Sequence, residues 1–194
     1  MALPVTFVAG DVLEAAQLNS NFTYVEGLGG LTYITQATPS AQTTISINNC
    51  FTSAYENYRI VMNVSAFAVA DGSVGLRLRV GGVDATTNYV SQRLLGTGAT
   101  VAAASNVLGT DEMYFLSTST LNPRTNAVCY DISSPNIATT TAMNGSFGLA
   151  DAINGVILIN SYGAHTTETA YDGFTLIASN NMTGTIRVYG YQNS

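Results

Sequence analysis

An all-β fold, an antiparallel β-sandwich of jelly-roll type preceded by one short α-helix, is the class this sequence predicts. Three observations predict it. Beyond residue 31 apolar residues recur with a period of two, in short runs bounded by Gly, Asn, Asp and Pro. Thr, Ser, Asn and Ala stand beside 11 Tyr and 7 Phe while only 9% of residues are charged, a mix suited to pleated strands and tight turns. A hydrophobic content of 46% in 194 residues is enough to bury one core, with a small extra piece but not a second full domain.

The extra piece comes first. In GDVLEAAQLNSNF, Asp11 is a good N-cap and Glu14 stands three residues on, the capping-box arrangement, so a helix is expected over about 11–25. Ala15, Leu18, Phe22 and Val25 fall on one side of a 3.6-residue period and Leu13 points the other way. So short a helix is marginal in water and needs something to press against. Gly27, Gly29 and Gly30 stop it and form a hinge. Residues 1–30 are thus one segment and 31–194 the sandwich.

Strands follow in order. Leu31-Tyr33-Thr35 opens one that ends near Pro39, and Thr43 to Ile47 makes another. After a turn at 53–57, Tyr58, Ile60, Met62 and Val64 alternate against Arg59, Val61, Asn63 and Ser65. VGLRLRVGGVD reads as a hairpin about Gly81-Gly82, with Leu76, Leu78 and Val80 toward a core and Arg77 and Arg79 opposite. Weaker strands are expected at about 111–118, 125–132 and 139–148, with turns at Asn144-Gly145 and Asn154-Gly155. GVILINSY and YDGFTLIAS come next, then a turn at Asn180-Asn181 and a final strand, TGTIRVYGY. Eight to ten short antiparallel strands at this spacing indicate a sandwich or jelly roll. In the last of them Ile186, Val188 and Gly190 share one face, and Thr185, Arg187, Tyr189 and Tyr191 the other. Interface cores are enriched in Tyr and Arg, so Arg187, Tyr189 and Tyr191, with Arg77 and Arg79, are the expected subunit-interface residues.

Composition and motifs exclude more than they assign. Net charge is −6, and none of the six basic residues is a lysine, which speaks against nucleic acid and against anionic membrane surfaces. No apolar run reaches membrane-spanning length, and MALPVTF lacks the cationic start of a secretory signal. Cys50 and Cys129 are either two reduced thiols or one bridge across the sandwich; spacing does not decide between them. His165, with Glu168 in the polar stretch HTTET, reads as a loop histidine, and no G-x-S-x-G elbow accompanies it. Two distant cysteines and one histidine do not make a zinc site; Asp71-Gly72 and Asp111-Glu112 are isolated acids that leave a calcium site open but without support from spacing. No catalytic residue, metal or cofactor is expected; binding or structure is.

AGDVLEAAQLNSNF resembles the short N-terminal segment, roughly G-D-x-L-x-A-x-x-L-N-x-N-F, that begins many tailed-phage tail fibres and other virion appendage proteins. Gly10, Asp11, Leu13, Ala15, Leu18, Asn19, Asn21 and Phe22 carry the likeness, and FTSAYENYRIVMNVSA and the closing GTIRVYGY look like the β-domain that follows in some of them. About a third of the chain is covered. The resemblance implies a virion protein assembled in the host cytoplasm: a short tail fibre or tail/baseplate appendage, anchored by Asp11, Leu13, Ala15, Leu18, Asn19 and Phe22. It implies a homotrimer that meets other virion proteins, and distal loops rich in Thr, Ser and Asn, expected in the 84–106 and 162–172 regions, that contact a host surface glycan. A capsid decoration or head-fibre protein is the alternative within the same resemblance. A glycan-degrading spike and a lectin-like module are the rivals outside it.

Overall fold

A computed structural model describes residues 3–10, 12, 14–26, 30–69, 72–105, 110–118, 127–151 and 155–192. Among the described residues one helix, α1 (Ala15–Glu26), precedes twelve strands: β1 (Leu31–Ala37), β2 (Gln42–Ile47), β3 (Asn57–Phe67), β4 (Gly72–Val80), β5 (Val83–Asp84), β6 (Tyr89–Thr97), β7 (Thr100–Ser105), β8 (Met113–Thr118), β9 (Ala127–Ser133), β10 (Thr141–Asp151), β11 (Gly155–His165) and β12 (Gly173–Tyr191). Every pairing is antiparallel, so the all-β class with a short N-terminal helix holds. The regions 84–106 and 162–172 are not loops throughout: β6, β7 and the end of β11 run through them.

The long last strand explains the shape. The first half of β12 lies between β2 and β4, with Phe174 opposite both Ile47 and Leu78. Its second half lies between β1 and β3, with Val188 opposite Thr35 and Ile60. From there the sheet continues β3-β9-β10-β11-β6-β7, while β5 and β8 flank β4. One curled sheet therefore supplies two leaves joined through β12, with the core between them. Phe115 of β8 stacks on Tyr130 of β9 at 4.4 Å, and Phe51 sits 4.7 Å from Tyr58 and 5.8 Å from Phe174. The expected turn at Asn180-Asn181 is therefore a bend inside one strand. The polar groups a turn would expose have partners: Ala68 N–H donates to the Asn181 carbonyl at 2.8 Å, and Ser73 N–H donates to Ser179 Oγ at 2.9 Å.

Alternation is obeyed on β3, where Tyr58, Ile60, Met62 and Val64 are buried. On β4 it holds for Leu76 and Leu78 and breaks at Val80, which is exposed opposite Val83 while Arg79 is buried. The Gly81-Gly82 hairpin is present, and both glycines adopt positive φ, 58° and 82°, as a tight two-residue turn requires. Asn144-Gly145 is not a turn. It lies mid-β10, paired with Asp131 and Tyr130 on one side and Tyr162 and Ser161 on the other. Glycine is needed there for space, because a Cβ would collide with the Cys129 carbonyl and the Tyr130 ring. Asp151 of β10 pairs with Gly155 of β11; Asn154 lies outside the described residues.

The helix begins one turn later than the capping box predicts. The Glu14 carbonyl accepts the first helical bonds from Gln17 and Leu18 N–H at 3.1 Å, which makes Glu14 the N-cap residue and not the third helical one. Asn21, buried in α1, clamps Val5: its amide donates to the Val5 carbonyl at 2.9 Å, and Val5 N–H donates to Oδ1 at 3.0 Å. This lays the leading chain back along the helix. Gly27 and Gly29 lie outside the described residues, and Gly30 already accepts from Gln192 N–H at 3.3 Å.

Candidate functional face

Two sets of residues are expected to carry function, and their placement differs. Of the anchoring set, Asp11 and Leu13 lie outside the described residues. Ala15 and Asn19 are exposed, Leu18 is half-buried, and Phe22 is 57% exposed. Val8 and Val12 just before the helix are also open. The described apolar residues of this segment thus present a largely unburied surface.

Of the interface set, the structure brings Arg187, Tyr189 and Tyr191 together and leaves Arg77 and Arg79 elsewhere. The three residues alternate on the outer face of the second half of β12, with Ile186 and Val188 beneath. Arg187 is exposed and its Nε donates to Gln36 Oε1 at 2.9 Å. Tyr189 meets Tyr33 of β1 edge-on, with ring centroids 6.0 Å apart. Tyr191 donates its hydroxyl to Asp131 Oδ1 at 2.7 Å. Asp131 is also gripped by Arg59, Nε to Oδ1 and Nη2 to Oδ2, each 2.7 Å, and the Arg59 guanidinium lies 5.4 Å from the centre of the Tyr191 ring. This bidentate fork holds the Asp131 carboxyl below its ordinary range, and burial, with the adjacent carboxylate, pushes the Tyr191 hydroxyl up to about 12.

Arg77 and Arg79 serve their own protomer, because β4 joins the first half of β12 and not the second. Arg77 lies 3.5 Å from Glu112, whose carboxyl burial pushes upward. Arg79 bonds Thr175 Oγ1 at 2.8 Å and the Gly82 carbonyl, and lies 3.5 Å from Asp84. Both terminal nitrogens of the buried Arg79 are thus matched, as burying a charge in a strand requires, while its Nε is left without a hydrogen-bond partner among the described residues.

Cross-strand register extends the β12 face into a row. Tyr33, Tyr189, Arg59, Asp131, Asn144, Tyr162, Gln92 and Ser105 are successive partners across eight strands. A shallow groove of ≈ 630 Å³ lined by Arg59, Val61, Asn63, Cys129, Arg187 and Tyr189 lies at one end. Sequence reasoning placed Arg59 on the outer side of its strand but missed its fork with Asp131, 72 residues away, which only register reveals. Chemically the face offers hydrogen-bonding groups and aromatic edges. Its one carboxylate is neutralised, and burial raises the Cys129 thiol, which weakens it as a nucleophile.

Nor do the remaining reactive groups gather. His165 is not in a loop but at the end of β11, 2% exposed, under Tyr89 at 4.4 Å. Its Nε2 donates to the Thr87 carbonyl at 2.9 Å, so Nδ1 accepts from the Tyr171 hydroxyl at 2.9 Å. Asp172 accepts from Gly81 N–H at 2.8 Å. Cys50 and Cys129 are free thiols, and burial pushes Cys50 up to about 12. Among the described residues no three His, Cys, Asp or Glu side chains are grouped to hold a metal, and no helix is long and apolar enough to cross a membrane. No family model matches the chain, and no curated protein matches it.

Proposed function

We propose that this chain is a structural protein of a tailed-phage virion, a short tail fibre or tail/baseplate appendage, anchored by its leading helix and homotrimeric. The observation that carries the reading is the open apolar surface of the helical segment. Phe22 is 57% exposed, Val8 and Val12 are open, and the buried Asn21 of α1 turns its amide to Val5. A short helix that keeps an apolar side in water gains its stability from a partner. Neighbouring virion proteins supply that partner, which is also what the resemblance of residues 10–22 to appendage proteins implies. The β-domain stands beyond, and its polar turn after β11, with Thr166, Thr167 and Glu168 exposed, is offered to a host surface glycan. The protein performs no catalysis in this role.

Deletion of residues 1–26 tests it. The truncated protein is expected to remain soluble, with an unchanged β-sheet circular dichroism spectrum, and to be missing from purified particles. A truncated chain that unfolds, or one that is still incorporated at the normal copy number, overturns the anchoring role.

A further inference from the structure

Two rows of side chains stand parallel on the outer face of the sheet, running across the strands from β3 to β6. Register places Arg59, Asp131, Asn144, Tyr162 and Gln92 in one row, and Val61, Cys129, Ser146, Asn160 and Leu94 in the other. The rows are two residues apart on every strand, and the residues between them belong to the opposite face. Ile60 and Tyr130 are buried there, the Ser161 hydroxyl is hydrogen-bonded to that of Tyr130, and Arg93 turns inward to the Tyr114 hydroxyl. Gly145 brings no side chain at all. What lies between the rows is therefore bare backbone.

The result is a channel. A depression of ≈ 370 Å³, with Asp131 and Asn144 on one side and Cys129, Ser146 and Asn160 on the other, continues into one of ≈ 310 Å³ between Tyr162 and Gln92 and the facing Asn160 and Leu94. At its other end it runs into the groove beside β12, with which it shares Arg59 and Cys129. Four strand spacings of about 4.8 Å make the channel about 19 Å long, and two residues of about 3.4 Å make it about 7 Å wide. A sister subunit packed on Arg187 and Tyr189 closes the β12 end and leaves the stretch from β3 to β6 open.

We infer that this channel binds a linear, uncharged polysaccharide lying across the strands. Shape removes other extended ligands first. An α-helix, about 10–12 Å across, does not enter. An extended peptide binds a sheet through free backbone groups at an edge, and β3, β9, β10, β11 and β6 each have a neighbour on both sides. A nucleic acid needs cations along its phosphates, and Asp131 has already taken the charge of Arg59. Chemistry then selects the sugar. A pyranose carries hydroxyls round its rim, each both donor and acceptor, and C–H groups on its faces. Asn144, Asn160 and Gln92 are exposed planar amides, each with two donors and an acceptor oxygen, and Ser146 adds a hydroxyl. The Arg59–Asp131 fork presents a fixed polar edge of no net charge. Tyr162, 56% exposed, and Leu94, 50% exposed, offer apolar surface to the C–H faces at the β6 end. The strands hold these groups in place, so little ordering is needed when the sugar arrives. The channel is distinct from the turn at Thr166, Thr167 and Glu168. It rests on the appendage reading only for the source of the glycan, a host surface; binding itself is a property of this chain.

Affinity electrophoresis of the full chain tests it, in gels cast with dextran, galactomannan or hydroxyethylcellulose and, for an acidic comparison, polygalacturonate. The wild type is expected to be retarded by at least one of the three neutral polymers and to run unretarded through polygalacturonate. Asn144→Ala combined with Asn160→Ala, both at exposed positions, is expected to weaken the retardation about tenfold or more with an unchanged circular dichroism spectrum. Ser146→Trp, which fills the channel from an exposed position, is expected to abolish it. Thr167→Ala with Glu168→Ala, on the turn, is expected to leave it unchanged. Retardation that survives Ser146→Trp, or that is lost with the turn variant, overturns the channel and leaves a glycan contact standing elsewhere on the chain. Retardation as strong in polygalacturonate, or in none of the four polymers, overturns the inference outright. The anchoring role is decided separately, by particle incorporation of the truncated chain.

Discussion

His165 is a base held neutral. Its Nε2–H is committed to the Thr87 carbonyl, Nδ1 receives the Tyr171 hydroxyl, and burial lowers its affinity for a proton below that of a free histidine. Below the ordinary value of 6.5 the unfolded chain takes up a proton that the folded one refuses. The contribution is thus fully present above pH 6.5 and is lost as pH falls through the lowered value. The urea midpoint is expected to decline on acidification from pH 7 to pH 5, and His165→Gln, whose amide still donates to Thr87, to flatten that decline. An equal slope in the two proteins would remove His165 from the pH dependence. Asp131 acts in a separate, lower window: its carboxyl is depressed below 3.8, chiefly by Arg59, so its contribution is retained to more acid pH and then lost.

Elements show where local signals were enough and where they were not. The period-two runs of β3 and the Gly81-Gly82 turn were legible, because each is set by neighbours within a few residues. So was the outward face of Arg187, Tyr189 and Tyr191. The partners of that face were not legible, because Arg59 and Asp131 reach Tyr191 only through strand order. Asn144-Gly145 carries the composition of a turn yet lies in a central strand, where the glycine answers a packing demand from β9. Gly145→Ala therefore forces a Cβ against the Cys129 carbonyl, and backbone gives way less readily than a side chain. A loss of about 1–3 kcal/mol is expected, the ordinary cost of overpacking a core. Chemical denaturation would read it as a lower midpoint at unchanged slope. A neutral result would mean that β9 and β10 can separate locally without cost.

For the whole molecule β12 is decisive, because both leaves of the sheet are hung on it. Its first half pairs with β2 and β4, its second with β1 and β3. Charge contributes little to holding the leaves: among the described residues there are three ion pairs, and the tightest, Arg59–Asp131, is a third exposed on each side. Apolar burial and backbone ladders remain. Met182, Ile186 and Val188 in the second half are fully buried, and each contributes about 1.5–3 kcal/mol. Their sum approaches the entire stability of an ordinary domain, about 5–15 kcal/mol. Removing residues 180–194 is therefore expected to abolish the cooperative thermal transition of the whole β-domain, leaving an insoluble or molten chain. Removing residues 1–26 from the other end is expected to leave the transition in place. Calorimetry on the two truncations makes the comparison directly. A chain without residues 180–194 that still melts in one sharp transition would show that the leaf built on β4 holds itself together, and that β12 only joins leaves already stable.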